Sequence, residues 1–254
     1  MLPALNCRQN FIDWSSAMNT LVHRADERGF ANHGWLKTFH SFSFAGYFNP
    51  NKMGFGALRV LNDDTVEGGK GFDSHSHKDM EIISIPILGS LAHKDNHDNE
   101  KIIQNNEVQI MSAGTGIVHS EYNASKTEKV NFLQIWILPK FKNIEPRYEQ
   151  NIFSEKERQG KWQILVSPDS LTSGLWINQD AVISRVSLAK NNSIEYQAKF
   201  ENSGFYLFLI EGDVKVKDLR LTRRDGLGVS QTDHISINPN MQSDILLIEV
   251  PMGV

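Results

Sequence analysis

The sequence predicts an all-β protein made of two barrels. Three observations carry this. Short segments of alternating or wholly apolar residues recur, separated by Gly, Asn, Asp, Ser and Pro turn signals at intervals of roughly 8–12 residues. Helical periodicity is scarce; SEKER at 154–158 offers at most one short turn. The strand pattern also occurs twice, on either side of a polar, proline-punctuated stretch at about 139–155.

Composition narrows the class. A chain of 254 residues can bury a real core without covalent staples. With 22% charged residues and a net charge of −4, it lacks the basic excess that draws proteins directly to nucleic acid. Its single cysteine, Cys7, excludes an intramolecular disulfide and suits a reducing compartment. No apolar run reaches the length of about 18 residues that a membrane helix needs. The first twenty residues lack the charged start and unbroken apolar centre of a secretory signal. A cytoplasmic protein is the expectation.

In chain order, residues 1–20 read as an extension, poorly ordered or forming a short docking helix. Met18 opens MNTLVHRADERG, which already reads as folded domain, so translation from Met18 is an alternative that the N-terminal mass decides. Residues 21–145 are expected to form one domain and 146–254 a second. A strand is predicted over 40–48, with Phe42 and Phe44 on one face and Ser41 and Ser43 on the other. Asn49-Pro50-Asn51 is a turn, and residues 54–64 form the next strand. Residues 80–95 give two apolar strands about Gly89. Residues 106–123 open with alternation and pass through the Ala-Gly-Thr-Gly turn. VNFLQIWILP at 130–139 is so apolar that both faces must be buried. In the second half, WQILVSP, AVISRVSLA, GFYLFLIEGDVKV and SDILLIEVP are strands.

The chemistry concentrates in GKGFDSHSHKDME, residues 69–81. His75 and His77 stand two apart, so on a strand both project from one face and can chelate a divalent metal. His119 and Glu121, just after a Gly-x-Gly turn, repeat the spacing. Three neutral imidazoles and one carboxylate would leave a divalent ion with a net charge of about +1 and open coordination positions. Such a set suits iron, nickel, copper, manganese, cobalt or zinc, and the residues do not choose among them. Glu81, four residues after His77, offers itself as a competing carboxylate.

The spacings match two known motifs. Gly69, five residues, H-x-H, three residues and Glu81 follow the first cupin motif, with its closing glycine one position late at Gly89. Gly114-Thr-Gly116, two residues, His119, three residues and Asn123 follow the second, with Gly114 where a proline is common. HSHKDMEIISI and AGTGIVHSEYN, preceded by ADERGFANHGWLKTFHSFSFAGYFNP and followed by LQIWILPK and PRYEQ, resemble the pirin family, notably its bacterial quercetin 2,3-dioxygenase members. The resemblance covers about residues 20–254 and is densest over 24–150.

The resemblance implies a bicupin, two packed β-barrels with one divalent metal per chain, expected to be Fe(II), in the first barrel. It implies His75, His77, His119 and Glu121 as ligands, Glu121 also as the base, and Glu81 as a partner behind the ligands. Ser76 stands where the family has proline, and Asp98 where a glycine is common, departures that touch stiffness and a turn rather than the ligands. A simple offset puts Ala198, Phe200, Gln231 and Asp233 at the corresponding places of the second barrel, which therefore lacks ligands. The activity implied is ring opening of a flavonol with O2 and release of CO, by a monomer. Eukaryotic pirins look like metal-sensing partners of transcription factors, so a regulatory binding protein is the alternative.

Other residues are read more plainly. His93 and His97 lie by a polar loop and are expected in solvent. His33, Trp35 and His40 line a pocket or pack. Phe42, Phe44 and Phe48 belong to the barrel core, and Arg223-Arg224 to a solvated turn.

Overall fold

The structure, a computed structural model, describes residues 18–169 and 174–253. Residues 1–17, with Cys7 and the expected extension, lie outside them. The described residues open with β1 (Asn19–His23). The first barrel follows, as β2 (Gly29–Asn32), β3 (Leu36–His40), β4 (Leu58–Val66), β5 (Gly71–His77), β6 (Glu81–Leu88), β7 (Leu91–Asp95), β8 (Glu100–Ile103), β9 (Glu107–Ser112), β10 (Ile117–Asn123), β11 (Val130–Ile137) and β12 (Arg147–Ile152). The second comprises β13 (Gln163–Ser167), β14 (Leu175–Trp176), β15 (Val182–Leu188), β16 (Ile194–Gln197), β17 (Ser203–Glu211), β18 (Asp213–Val216), β19 (Leu219–Thr222), β20 (Gly226–Ser230), β21 (His234–Pro239) and β22 (Ser243–Pro251). SEKER supplies a short 3₁₀ turn over Glu155–Arg158.

Each barrel is a large sheet facing a small one. In the first, β12-β9-β6-β11-β4-β3-β2 faces β5-β10-β7-β8; in the second, β1-β20-β17-β22-β15-β13-β14 faces β16-β21-β18-β19. The two large sheets pack back to back, which explains strands that are apolar throughout. In β17, Tyr206, Phe208 and Ile210 enter the core between the barrels, where they join Ile83, Ile85 and Ile135 of the first. The alternate residues Phe205, Leu207 and Leu209 fill the second barrel. Each such side chain contributes about 1.5–3 kcal/mol by leaving water.

The same alternation has another outcome in the first barrel. Ile83 and Ile85 of β6 and Leu133 and Ile135 of β11 face the interface. The positions between them include Ser84 and Gln134, both buried and both hydrogen-bonded to Glu121 inside the barrel. The second barrel is thus packed mainly with hydrocarbon around the buried Glu249, and the first combines a hydrocarbon cluster with a polar group about Glu121.

Several expectations are corrected. Asn19 and Thr20, grouped with the extension, belong to β1, which pairs with β20 of the second barrel from Asn19↔Ser230 to His23↔Gly226. The strand expected at 40–48 ends at His40; Phe44 and Tyr47 bridge across a tight turn in which Ala45 has φ 48°. Phe42 is core, but Phe48 is 71% exposed. Strand β12 falls in the expected linker and beyond residue 145, yet it pairs with β9 on the first barrel's large sheet. Its residues, RYEQNI, form a half-exposed edge and carry no alternation. Arg224 is buried rather than solvated, because its guanidinium pairs with Asp63 of β4 at 3.1 Å. Arg28 meets the other oxygen of Asp63 at 3.4 Å.

Candidate metal centre

His75 and His77 share the inward face of β5, as their spacing requires. Strand β10 lies antiparallel beside it, with His119 directly opposite His75 and Ile117 opposite His77. The three imidazoles converge: ring centroids lie 4.4 Å apart for His75–His119 and 4.9 Å apart for both His75–His77 and His77–His119. One nitrogen from each falls within 4.8 Å of the others, the only such group of ligand-type side chains among the described residues.

The turn ahead of β10 fixes this register. Gly114 has φ +47°, and a Cβ there would stand 2.1 Å from the Ile144 carbonyl oxygen, so only glycine fits. After His119 the β10–β5 register shifts, and Glu121 faces Phe72 instead of Asp73. Glu121 then bonds the opposite wall. Its Oε1 accepts from Ser84 Oγ at 3.0 Å and its Oε2 from Gln134 Nε2 at 2.8 Å. It stands beside the imidazole group and is not a member of the tight cluster.

The electrostatics suit a cation. Burial first, and then neighbouring His75, lower the His77 pKa to about 4. Burial, then His75, His77 and His93, lower that of His119 to about 2. Both are therefore neutral at pH 7, the form that offers a lone pair. His75 Nδ1 donates to the Asp73 carbonyl at 2.8 Å, which leaves Nε2 free to ligate. His119 is buried with neither ring nitrogen hydrogen-bonded. Burial raises the Glu121 carboxyl above its usual range, against the lowering effects of Ser84, His75 and Gln134. The donors present fit a divalent metal.

The walls are apolar and aromatic. Trp136 meets His77 edge-on at 4.9 Å and Phe44 at 5.2 Å. Ile82, Met111 and Ile117 pack beside Trp136. Deeper in, burial raises Asp64 to about 7.

Glu81 is not brought to the cluster. It shares the interface-facing side of β6 with Ile83, and its Oε2 accepts from Ser112 Oγ at 2.8 Å and from the Asn178 amide at 3.2 Å. It ties the two barrels together. His97 and His33 are exposed, and His40 is buried on Asn62 at 2.8 Å. His93 reverses expectation: it is 1% exposed, with its ring 5.2 Å from His119 and 4.9 Å from that of Tyr148. The missed signal was its phase with Leu91, which is buried two residues earlier on the same face. Ser84 and Gln134 were also missed, although each is a lone polar residue in an apolar run.

In the second barrel, Ala198, Phe200, Gln231 and Asp233 line one cavity of about 780 Å³. Asp233 there pairs with its neighbour His234 at 2.8 Å.

Comparisons with known proteins agree with this architecture. Residues 22–137 match the Pirin family and residues 164–250 the quercetinase C-terminal cupin domain. A quercetin 2,3-dioxygenase of Escherichia coli K12 is 44% identical over 230 residues, 91% of this chain and 98% of that protein. A pirin-like protein of Caulobacter vibrioides is 39% identical over 88% of this chain and 96% of its own. The crystal structure of a bacterial pirin from E. coli in complex with nickel(II) superposes with a TM-score of 0.87 at 42% identity, covering 92% of this chain and 99% of that one.

Proposed function

The chain belongs to the pirin family, and from that premise we propose that it is a metal-dependent quercetin 2,3-dioxygenase, opening the central ring of flavonols with O2 and releasing CO. The observation that carries the reading is the three-imidazole cluster, with His77 and His119 neutral, beside a buried carboxylate and flanked by Ile82, Met111, Ile117 and Trp136.

His75, His77 and His119, with Glu121 beside them, would hold one divalent metal per chain, proposed as Fe(II). When bound, the ion supplies the charge that acidifies the flavonol 3-hydroxyl and the electronic coupling between flavonol and O2. Glu121 takes the hydroxyl proton on a carboxylate oxygen that Ser84 and Gln134 keep in place. Ile82, Met111, Ile117 and Trp136 exclude water from the electron-rich substrate. The enzyme acts as a monomer in the cytoplasm.

Metal-loaded protein incubated with quercetin should consume one O2 per flavonol and bleach its absorbance. H77A and E121A should each lose at least about 100-fold in kcat/KM. Absence of turnover with iron, nickel, copper, manganese, cobalt or zinc would sink the enzymatic reading and favour a metal-dependent regulatory binding protein.

A further inference from the structure

His93 is buried, and neither of its ring nitrogens has a hydrogen-bond partner. Two other buried histidines show what a packing role looks like here: His23 Nδ1 meets the Tyr206 hydroxyl at 2.8 Å, and His40 Nδ1 meets Asn62 at 2.8 Å. A neutral imidazole carries one donor and one acceptor, and each left unmet in a protein interior costs about 1–3 kcal/mol. His93 therefore leaves both ring nitrogens unmet, where His23 leaves only Nε2 so and His40 Nδ1 is paired.

Its location says what could offset that cost. His93 lies directly opposite Glu121 in the β7–β10 pairing, so both project from the same face. The His119 ring is 5.2 Å away. The Tyr148 ring packs on the other side at 4.9 Å with a 33° tilt, which limits rotation of the imidazole. His93 is not in the group whose nitrogens lie within 4.8 Å of one another, so it stands next to the ligand set without completing it. A group seated at the cluster comes within reach of its free nitrogen. A flavonol is planar and carries hydroxyl and carbonyl oxygens on adjacent carbons. One oxygen can face the cluster while its neighbour accepts from an N–H beside it.

Resting on the function proposed above, we infer that His93 donates a hydrogen bond to an oxygen of the flavonol seated at the three-histidine cluster and so fixes its orientation. His93 is then a positioning residue for substrate, distinct from the ligands and from the base.

The test uses the full-length protein loaded with Co(II) or Zn(II), as native, H93F and H93Q forms. Metal stoichiometry should be equal in all three. Without O2, H93F should bind quercetin about tenfold more weakly than native and lose the absorption shift of the bound flavonol, while H93Q, which keeps an N–H, recovers part of both. Native affinity and an unchanged shift in H93F would overturn the inference, as would loss of metal from H93F and H93Q alike. Should H93F fail to fold, the ring N–H of His93 in ¹⁵N-histidine-labelled, Zn(II)-loaded native protein decides; it should move downfield on adding quercetin, and an unmoved resonance counts against the role. If native protein takes up no quercetin, the flavonol reading has failed, and azide titrated into the Co(II) protein becomes the probe. An azide affinity about tenfold weaker in H93F keeps His93 as an orienting donor, and an equal affinity removes it.

Discussion

Glu121 owes its geometry to two residues on the far wall. Removing one of them should leave a carboxylate oxygen buried without a donor. Q134L is expected to cost about 1–3 kcal/mol of stability and about 10–100-fold in turnover with metal content unchanged; urea unfolding and steady-state kinetics read the two effects. His23 gives a second prediction. Burial first, then Lys52 and Arg28, depress its pKa to about 4. Unfolded, it takes up a proton near 6.5; folded, it does so only near 4. Its contribution is thus complete above pH 6.5 and is lost as pH falls to 4, up to about 3 kcal/mol. The stability gap between native protein and H23Q, measured in urea at pH 7 and pH 4.5, should shrink in acid. At this scale the sequence was legible where a motif marked it. His75, His77 and His119, which the structure brings together, stand at strand spacings within their motifs. Ser84, Gln134 and His93 carry no such mark, because each is defined by a partner on another strand.

Among the elements, most strands could be read from alternation or from unbroken apolar runs, because burial on one or two faces writes itself directly into side-chain period. Two could not. Strand β12 is a half-exposed edge with little to alternate. Strand β1 reads as a strand, but nothing local tells that its partner is β20. That pairing covers an edge of the second barrel's large sheet and brings His23 onto Tyr206. A protein lacking residues 1–23 should therefore melt several degrees lower than one lacking residues 1–17 and aggregate through the exposed edge; thermal scans and light scattering compare the two. An equal melting temperature would mean that β1 is dispensable.

For the whole molecule, one fold is used in two ways. The second barrel fills its interior with Phe205, Leu207 and Leu247, and the first lines its interior with His119, Glu121, Ser84 and Gln134. The second barrel buries chiefly hydrocarbon, and the first keeps buried polar atoms unmet, those of His93 and His119 among them. The two barrels were legible in the repeated strand pattern; the ion pairs between them were not, because Arg224 sits in a sequence that reads as a surface turn. Asp63 stands between Arg28 and Arg224, all three buried. D63A should cost about 3–5 kcal/mol by leaving the buried Arg28 guanidinium without an ion-pair partner and Arg224 with only Glu211 at 3.8 Å, a loss visible as a lower urea midpoint. The placement of β1 has a consequence in time. Asn19 is made well before its partner Ser230. At about 5–20 residues per second, a ribosome needs about 10–40 s to bridge that interval. Throughout it the strand waits unpaired, so this seam closes only after β20 has been made.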